Sequence, residues 1–365
     1  MSDAYGLLME RVKDIGRLNS IAQLLDWDQE VCMPKNGVAA RAQQSALIAG
    51  LAHEQLVSSM TRELLERVRV GDDDPVAATN VRETRRSFDR ASKVPTALVK
   101  EIAKVSSLAK DAWIQARQAS DFRVFAPLLE QMVGLKKQQA ECIGFTTEAY
   151  DALLDEYEPG ATAGQIDVLF EELGTATASL LGRIGQASRQ PDASILTRHY
   201  PQQQQAELSR VLAESLGFDF DSGRDDVSVH PFCTTIGGCG DVRITTRYQE
   251  DFFPCAIFGT MHEAGHGLYE QGMGAEHCFT PMGEAVSLGI HESQSRLWEN
   301  MVGRSRAFWE CHYTKTQKQF ASALADVSLD AFYGAINAVA PSMIRVEADE
   351  VTYNLHVLLR FEIER

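Results

Sequence analysis

Three observations along these 365 residues predict an all-α, mostly helical fold carrying one small β-ribbon. Apolar residues recur at three- and four-residue steps over long stretches, the period that lines one face of an α-helix. Prolines fall at the starts and breaks of those stretches, where a ring without an N–H is tolerated. Only the window from Asp219 to Tyr248 alternates β-branched with polar residues.

Tyr5 to about Leu25 places Leu7, Leu8, Val12, Ile15, Leu18, Ile21, Leu24 and Leu25 on one stripe, and Pro34 and Gly37 punctuate the segment after it. A second long helix is expected from Val38 to about Val70, ended by the turn Gly71-Asp-Asp-Asp-Pro75. Further helices are expected over 76–92, 96–120, 123–143, 163–188 and 202–216, with Pro95, Pro127, Pro159, Pro191 and Pro201 at or near boundaries. Gln202 to Gln205 reads as a polar helix start. In the exceptional window, Val227-Ser-Val-His-Pro-Phe232 and Asp241-Val-Arg-Ile-Thr-Thr-Arg-Tyr248 read as strands separated by Gly237-Gly238-Cys239-Gly240. No fixed-period repeat and no low-complexity linker divides the chain, so one domain over 1–365 is expected.

Composition narrows the function classes. Hydrophobic residues make up 44% and charged residues 24%, an ordinary globular balance. The formal charge of −16 argues against a nucleic-acid or membrane partner bound over a broad face, while leaving room for a local cationic pocket. The amino terminus lacks a basic segment followed by an apolar run, so no secretory signal is expected, and no apolar stretch reaches membrane-spanning length. Seven cysteines are scattered, odd in number and without a C-x-x-C pair. A thiolate zinc site or a disulfide framework, a Cys233–Cys239 bridge included, is therefore not expected, and a reducing cytoplasm is.

The most informative stretch is Phe258-Gly-Thr-Met-His262-Glu263-Ala-Gly-His266-Gly-Leu-Tyr269. Two histidines four residues apart stack one turn above each other on a helix and can grip one metal ion. Glu263 points off that axis yet stays near enough to hold a water beside the metal. Metal-assisted peptide hydrolysis asks for these three side chains. The β-ribbon directly upstream is expected to wall the cleft, where a strand edge can pair with an extended substrate. A catalytic zinc usually takes three protein ligands. A second helix, read from Glu284 to Trp298, can offer the third. His277, Glu284, His291, Glu292 and Glu299 are the candidates; spacing divides the choice among Glu292, Glu284 and His291, with Glu292 ahead.

His230-Pro-Phe232, Asp241-Val-Arg-Ile-Thr245, His262-Glu-Ala-Gly-His266, His291-Glu-Ser-Gln294 and Ile344-Arg-Val-Glu-Ala-Asp349 come in an order that resembles the carboxypeptidase Taq-type metallocarboxypeptidases. Leu25-Asp-Trp-Asp-Gln-Glu30 and Leu153-Leu-Asp-Glu-Tyr-Glu-Pro-Gly160 look like that family as well, so the resemblance covers essentially the whole chain. It implies a neurolysin-like helical architecture with a deep cleft, a homodimer, and removal of single residues from peptide carboxyl termini with broad side-chain tolerance. It implies Zn²⁺, for which Co²⁺ can substitute, and it makes Glu292 the third ligand. It also implies a C-terminal part beyond Arg365, carrying a Gly-x-x-Gln-Asp-x-His-Trp motif and a Tyr-rich segment, which this sequence does not contain; the chain stops inside a helix read from about Val346.

Each expected residue then has a role. His262, His266 and Glu292 hold the metal and Glu263 is general base, then general acid. A terminal carboxylate calls for a planar bidentate cation, Arg345 first and Arg243 second; for Arg345 the alternative is a helical partner of Asp349 at i+4. His230 lines the cleft or orients the turn before Pro231. Asp241 and Thr245 anchor a strand or support the ligands, and Asp349 orients a ligating histidine. Asp26, Asp28 and Glu30 read as solvated or helix-pairing charges. Gly265 and Gly267 each cost helix propensity of roughly 1 kcal/mol, which suits a close approach of backbone or substrate. Two rival functions are an oligopeptidase or endopeptidase with the same metal chemistry, and a shortened remnant that folds and dimerises without turnover.

Overall fold

The computed structural model describes residues 3–71 and 73–365; Met1, Ser2 and Asp72, and with them part of the amino-terminal reading and of the expected 71–75 turn, lie outside the described residues. The helices in chain order are α1 (Asp3–Val31), α2 (Val38–Leu56), α3 (Ser59–Arg67), α4 (Pro75–Ala91), α5 (Thr96–Ala119), α6 (Ala126–Ile143), α7 (Ala149–Tyr157), α8 (Ala163–Gly185) and α9 (Gln202–Leu216). Next come strands β1 (Gly223–Val227), β2 (Cys233–Thr235) and β3 (Val242–Thr246), then α10 (Phe253–Gln271), α11 (Leu288–Arg296), α12 (Arg306–Gln319), α13 (Ala321–Leu324), α14 (Leu329–Ile336) and α15 (Tyr353–Glu364). The described residues are mostly helical, with one three-stranded sheet of order β1-β3-β2 among them.

Two compact units emerge, each discontinuous in sequence: Met1–Leu153 with Thr234–Arg243 and Glu270–Val286, and Leu154–Cys233 with Ile244–Tyr269 and Ser287–Arg365. In the first, the stripe of α1 meets α3 and α4 through Leu8, Met9, Val12, Leu64, Leu65, Val68 and Phe88. The single helix expected over 38–70 is two helices. Ser58 caps α3 by accepting from the Thr61 amide at 3.2 Å, and its hydroxyl donates to the Gln55 carbonyl at 2.9 Å. Local polar groups thus replace the interrupted backbone ladder, so the break costs little. The carboxylates around Trp27 resolve as pairs between helices. Lys110 lies 3.6 Å from Asp26 and 3.5 Å from Glu30, and Arg41 binds Asp28.

The second unit is built on an aromatic core. Phe253, Ile257 and Met261, one face of α10, are buried with Tyr200, Trp309, Phe320, Leu324 and Phe332. Their rings meet edge to face, Phe253 to Phe332 at 5.7 Å and Trp309 to Phe332 at 4.7 Å, contacts worth about 0.5–1.5 kcal/mol each beyond area burial. Anchoring that face aims the neighbouring stripe of α10, which carries His262 and His266, away from the core.

The first expected strand is shifted. It begins at Gly223 and stops at Val227, and Pro231, which has no N–H to give a ladder, lies in the segment beyond. The segment beyond it is tied by Thr245, whose hydroxyl accepts from the Phe232 amide at 2.9 Å and lies 2.8 Å from Ser228 Oγ. The helix expected from about 346 is also displaced. Arg345–Glu347 is a single 3-10 turn and α15 opens at Tyr353. Between them, Asp349 Oδ1 accepts from the Val351 and Thr352 amides at 2.9 and 3.0 Å. Likewise α11 begins at Leu288, where Ser287 caps it by accepting from the Ile290 amide at 3.2 Å, leaving Glu284 upstream. No disulfide joins the cysteines among the described residues, and no described helix is long and apolar enough to cross a membrane.

Candidate metal centre

Helix α10 can hold two glycines because two neighbours come close. A Cβ on Gly265 would lie 2.7 Å from the Gln294 carbonyl oxygen and from Ser295 Cα, so the α10 and α11 backbones touch there. A Cβ on Gly267 would lie 2.5 Å from the Phe218 ring. Close approach of neighbouring groups, not loose packing, accounts for both residues. Strand β3 lies on the same helix, with Thr260 Oγ1 donating to Thr246 Oγ1 at 3.1 Å.

The approach of α11 brings Glu292 over the histidines. Its Oε2 is 3.2 Å from His266 Nε2 and 3.7 Å from His262 Nε2, and one donor atom from each residue falls within a 4.8 Å cluster. The opposite ring nitrogens are engaged elsewhere. His266 Nδ1 donates to the His291 carbonyl at 3.1 Å, and His262 Nδ1 bonds Glu299 Oε2 at 2.8 Å. Fixing Nδ1 sets the tautomer that turns Nε2 toward the shared centre. This donor set, two oriented imidazoles and one carboxylate, fits a divalent transition metal with a position left open.

Glu299 sits on a π-helical turn, Leu297–Val302, that continues α11. Seven residues are nearly two helical turns, so Glu292 and Glu299 share a face and reach opposite nitrogens of one imidazole. Arg296 and Arg304 lie 3.2 and 3.6 Å from the Glu299 carboxylate. The charges respond to one another. Burial works against a charged His262, yet the Glu299 hydrogen bond and the carboxylates of Glu263, Glu299 and Glu292 push it up to about 9. Burial alone would raise Glu292, but the His266 hydrogen bond and the charges of His262, His266 and Arg296 hold it down to about 2. Burial, partly offset by His262, raises Glu263 to about 7; the residue is 6% exposed. Three carboxylates, Glu263, Glu292 and Glu299, surround His262, a setting that suits a cation.

The other expected site residues are spread over both units. Arg345 Nη1 donates to the Tyr353 hydroxyl at 2.6 Å, and Arg345 and Asp349 are not on one helix, which removes their i+4 pairing. Asp349 caps backbone and accepts from the Thr352 hydroxyl at 2.7 Å; the imidazoles take Glu299 and the His291 carbonyl in its place. Asp241 and Arg243 belong to the first unit, where they pair through both oxygens at 2.8 and 2.9 Å and the guanidinium covers the Trp27 ring at 4.3 Å. Glu284 and His277 belong to the first unit too. His230 is exposed, its Nδ1 2.8 Å from the Pro231 carbonyl. His291 stacks on His266 at 4.4 Å. Spacing offers Glu299 as a ligand and not as the partner of His262, although its seven-residue step from Glu292 carries the signal. Sequence reasoning misses Tyr353, since no spacing rule reaches it across the irregular segment before α15.

A helical scaffold with an H-E-x-x-H helix facing a carboxylate from a neighbouring helix is that of a metallopeptidase. Residues 7–365 match the carboxypeptidase Taq (M32) metallopeptidase family, and the chain belongs to it. It is 47% identical to thermostable carboxypeptidase 1 of Thermus thermophilus, over 99% of this chain and 73% of that one. It is 40% identical to carboxypeptidase 1 of Bacillus subtilis, over 97% and 71%. The crystal structure of an M32 carboxypeptidase from Deinococcus radiodurans superposes with a TM-score of 0.88 at 38% identity, over 99% of this chain and 73% of that one. The protein is therefore a metallocarboxypeptidase by family.

Proposed function

We propose that His262 Nε2, His266 Nε2 and Glu292 Oε2 hold Zn²⁺, with Co²⁺ able to substitute, and that the chain removes single residues from free peptide carboxyl termini with broad side-chain tolerance. The observation that carries the metal reading is the convergence of the three donors within 4.8 Å, on imidazoles whose other nitrogens are engaged. Bound there, the ion would polarise the scissile carbonyl and acidify the attacking water. Glu263 takes that water's proton on a carboxylate oxygen and returns it to the leaving amine nitrogen. A carboxyl raised to about 7 suits a group that must both accept and give back a proton near neutrality. Its burial keeps bulk water from competing for that proton.

Arg345 binds the substrate's terminal carboxylate, since a guanidinium offers paired N–H donors matched to two oxygens. Arg243 is the weaker choice because Asp241 already takes its bidentate edge. His230 orients the turn at Pro231. Cysteines outside any disulfide support a cytoplasmic setting, and the family resemblance supports a homodimer; a monomeric mass by light scattering would contradict the latter.

Glu263→Gln should keep the metal and lose hydrolysis by about 10²–10⁴-fold; activity near wild type would show that another group is the base. Cleavage of a free-acid peptide should exceed that of its C-terminal amide. Equal rates would favour the oligopeptidase reading, and zinc-loaded protein inert to both would favour the remnant.

A further inference from the structure

Glu292 reaches the histidines from a different helix, so something must choose which of its oxygens faces them. Oε2 is the near one, and Oε1 lies 3.4 Å from the hydroxyl of Tyr353, the first residue of α15. The same hydroxyl is 2.6 Å from Arg345 Nη1. Arginine carries donors only, so the phenol oxygen accepts from Arg345 and its own proton is left to donate to Glu292 Oε1. The adjoining guanidinium charge polarises that O–H and strengthens the second bond.

The ring itself is held. Arg296 lies 4.0 Å over its face, within cation–π range, and the same guanidinium is 3.2 Å from Glu299 Oε2, the oxygen bound to His262. One arginine on α11 thus braces both the phenol beside Glu292 and the carboxylate beside His262. The last torsion of a glutamate is broad and soft. Once His266 Nε2, 3.2 Å from Oε2, is given over to an ion, the Glu292 carboxylate turns easily unless another bond from outside its own helix holds Oε1.

We infer that Tyr353 is a positioning residue whose hydroxyl holds Glu292 Oε1 off the donor centre, making Glu292 a one-oxygen ligand. The inference rests on the metal site proposed above. It gives Tyr353 no contact with the reacting atoms. Loss of the hydroxyl lets both oxygens swing toward the cation, which loosens binding and adds an oxygen to its surroundings.

Tyr353→Phe keeps the ring and its stacking on Arg296 and removes only the hydroxyl. On the whole chain stripped of metal, Zn²⁺ and Co²⁺ affinities by chelator competition should weaken about 10- to 100-fold. The melting temperature of the metal-free variant should stay within about 2 °C of wild type. The visible absorption of the Co²⁺ form should fall in intensity, as expected when coordination number rises; a merely structural role would leave that spectrum alone. Arg345→Ala leaves the phenol but not its polarising partner, and should weaken metal less than Tyr353→Phe. It also serves if Tyr353→Phe folds poorly, in which case wild-type metal affinity in Arg345→Ala overturns the inference. Wild-type affinity and a wild-type cobalt spectrum in well-folded Tyr353→Phe overturn it while leaving the metal site standing. Failure of the wild-type chain to bind either ion overturns the site and the inference together.

Discussion

Gly265→Ala tests the contact on which the proposed metal centre depends. The new methyl would lie 2.7 Å from both Gln294 O and Ser295 Cα, whereas carbon contacts are comfortable at about 3.5–4.0 Å. Both obstacles are backbone, so no rotamer change can absorb the methyl and α10 and α11 must separate by roughly 0.8 Å or more. Overpacking of this kind costs about 1–3 kcal/mol, and the better helix propensity of alanine returns at most about 1 kcal/mol. With that gain returned in full, the net effect is a loss of up to about 2 kcal/mol. Glu292 rides on α11 two residues before Gln294, so the displacement moves it from the histidines by more than the roughly 0.2 Å that metal–ligand bonds tolerate. Gly259→Ala is the internal control. Its methyl meets nothing nearer than Thr246 Oγ1 at 3.9 Å, so the same helix should gain up to about 1 kcal/mol. Urea denaturation of both metal-free variants, with Zn²⁺ affinity by chelator competition, reads the two effects apart. A Gly265→Ala protein as stable as Gly259→Ala, with wild-type zinc affinity, would refute the close-contact reasoning.

The charges give three further outcomes. Glu299→Gln removes the carboxylate shared by His262, Arg296 and Arg304; it should destabilise the protein by about 3–5 kcal/mol and weaken zinc about 10- to 100-fold, and unchanged values for both would show that His262 is oriented by something else. Metal-free protein should lose stability as pH rises from 6.5, above which the lowered His266 and His312 no longer add to the slope, to 9, measured by denaturation midpoints in chelator. Glu263 and Asp225 have folded values raised to about 7, so their contribution is present at low pH and fades on the way up to 7. His262, raised to about 9, contributes fully below its ordinary 6.5 and loses that contribution by 9; an equal or higher midpoint at pH 9 would contradict all three. Asp225 Oδ1 is buried without a hydrogen-bond partner among the described residues, so Asp225→Asn should stabilise the protein by about 1–3 kcal/mol at pH 8, and a loss there would mean that the charge is compensated.

Much of the fold is legible in the sequence because helical periodicity is local. The boundaries of α5 and α9 and the start of α8 come directly from apolar spacing and from the residues before them. Errors fall where a single polar side chain overrides the period. Ser58 splits one expected helix in two, and Asp349 replaces the start of another with a capped turn. The ribbon is visible as a β-branched window, but its third strand is not. Cys233–Thr235 is too short to carry a pattern of its own and exists through pairing with β3. No linker marks the two units, because each is assembled from segments distant in sequence.

From the amino-acid order alone came the helical class, the family likeness and the two histidines with their glutamate, since a four-residue step on a helix places side chains without outside help. Tertiary structure decided the rest. It brought Glu292, rather than Glu284 or His277, beside the two histidines, because that placement depends on how closely two backbones approach at Gly265. It matched Glu299 to His262 and Tyr353 to Glu292, since hydrogen bonds between separate helices depend on distances that no spacing along a chain encodes.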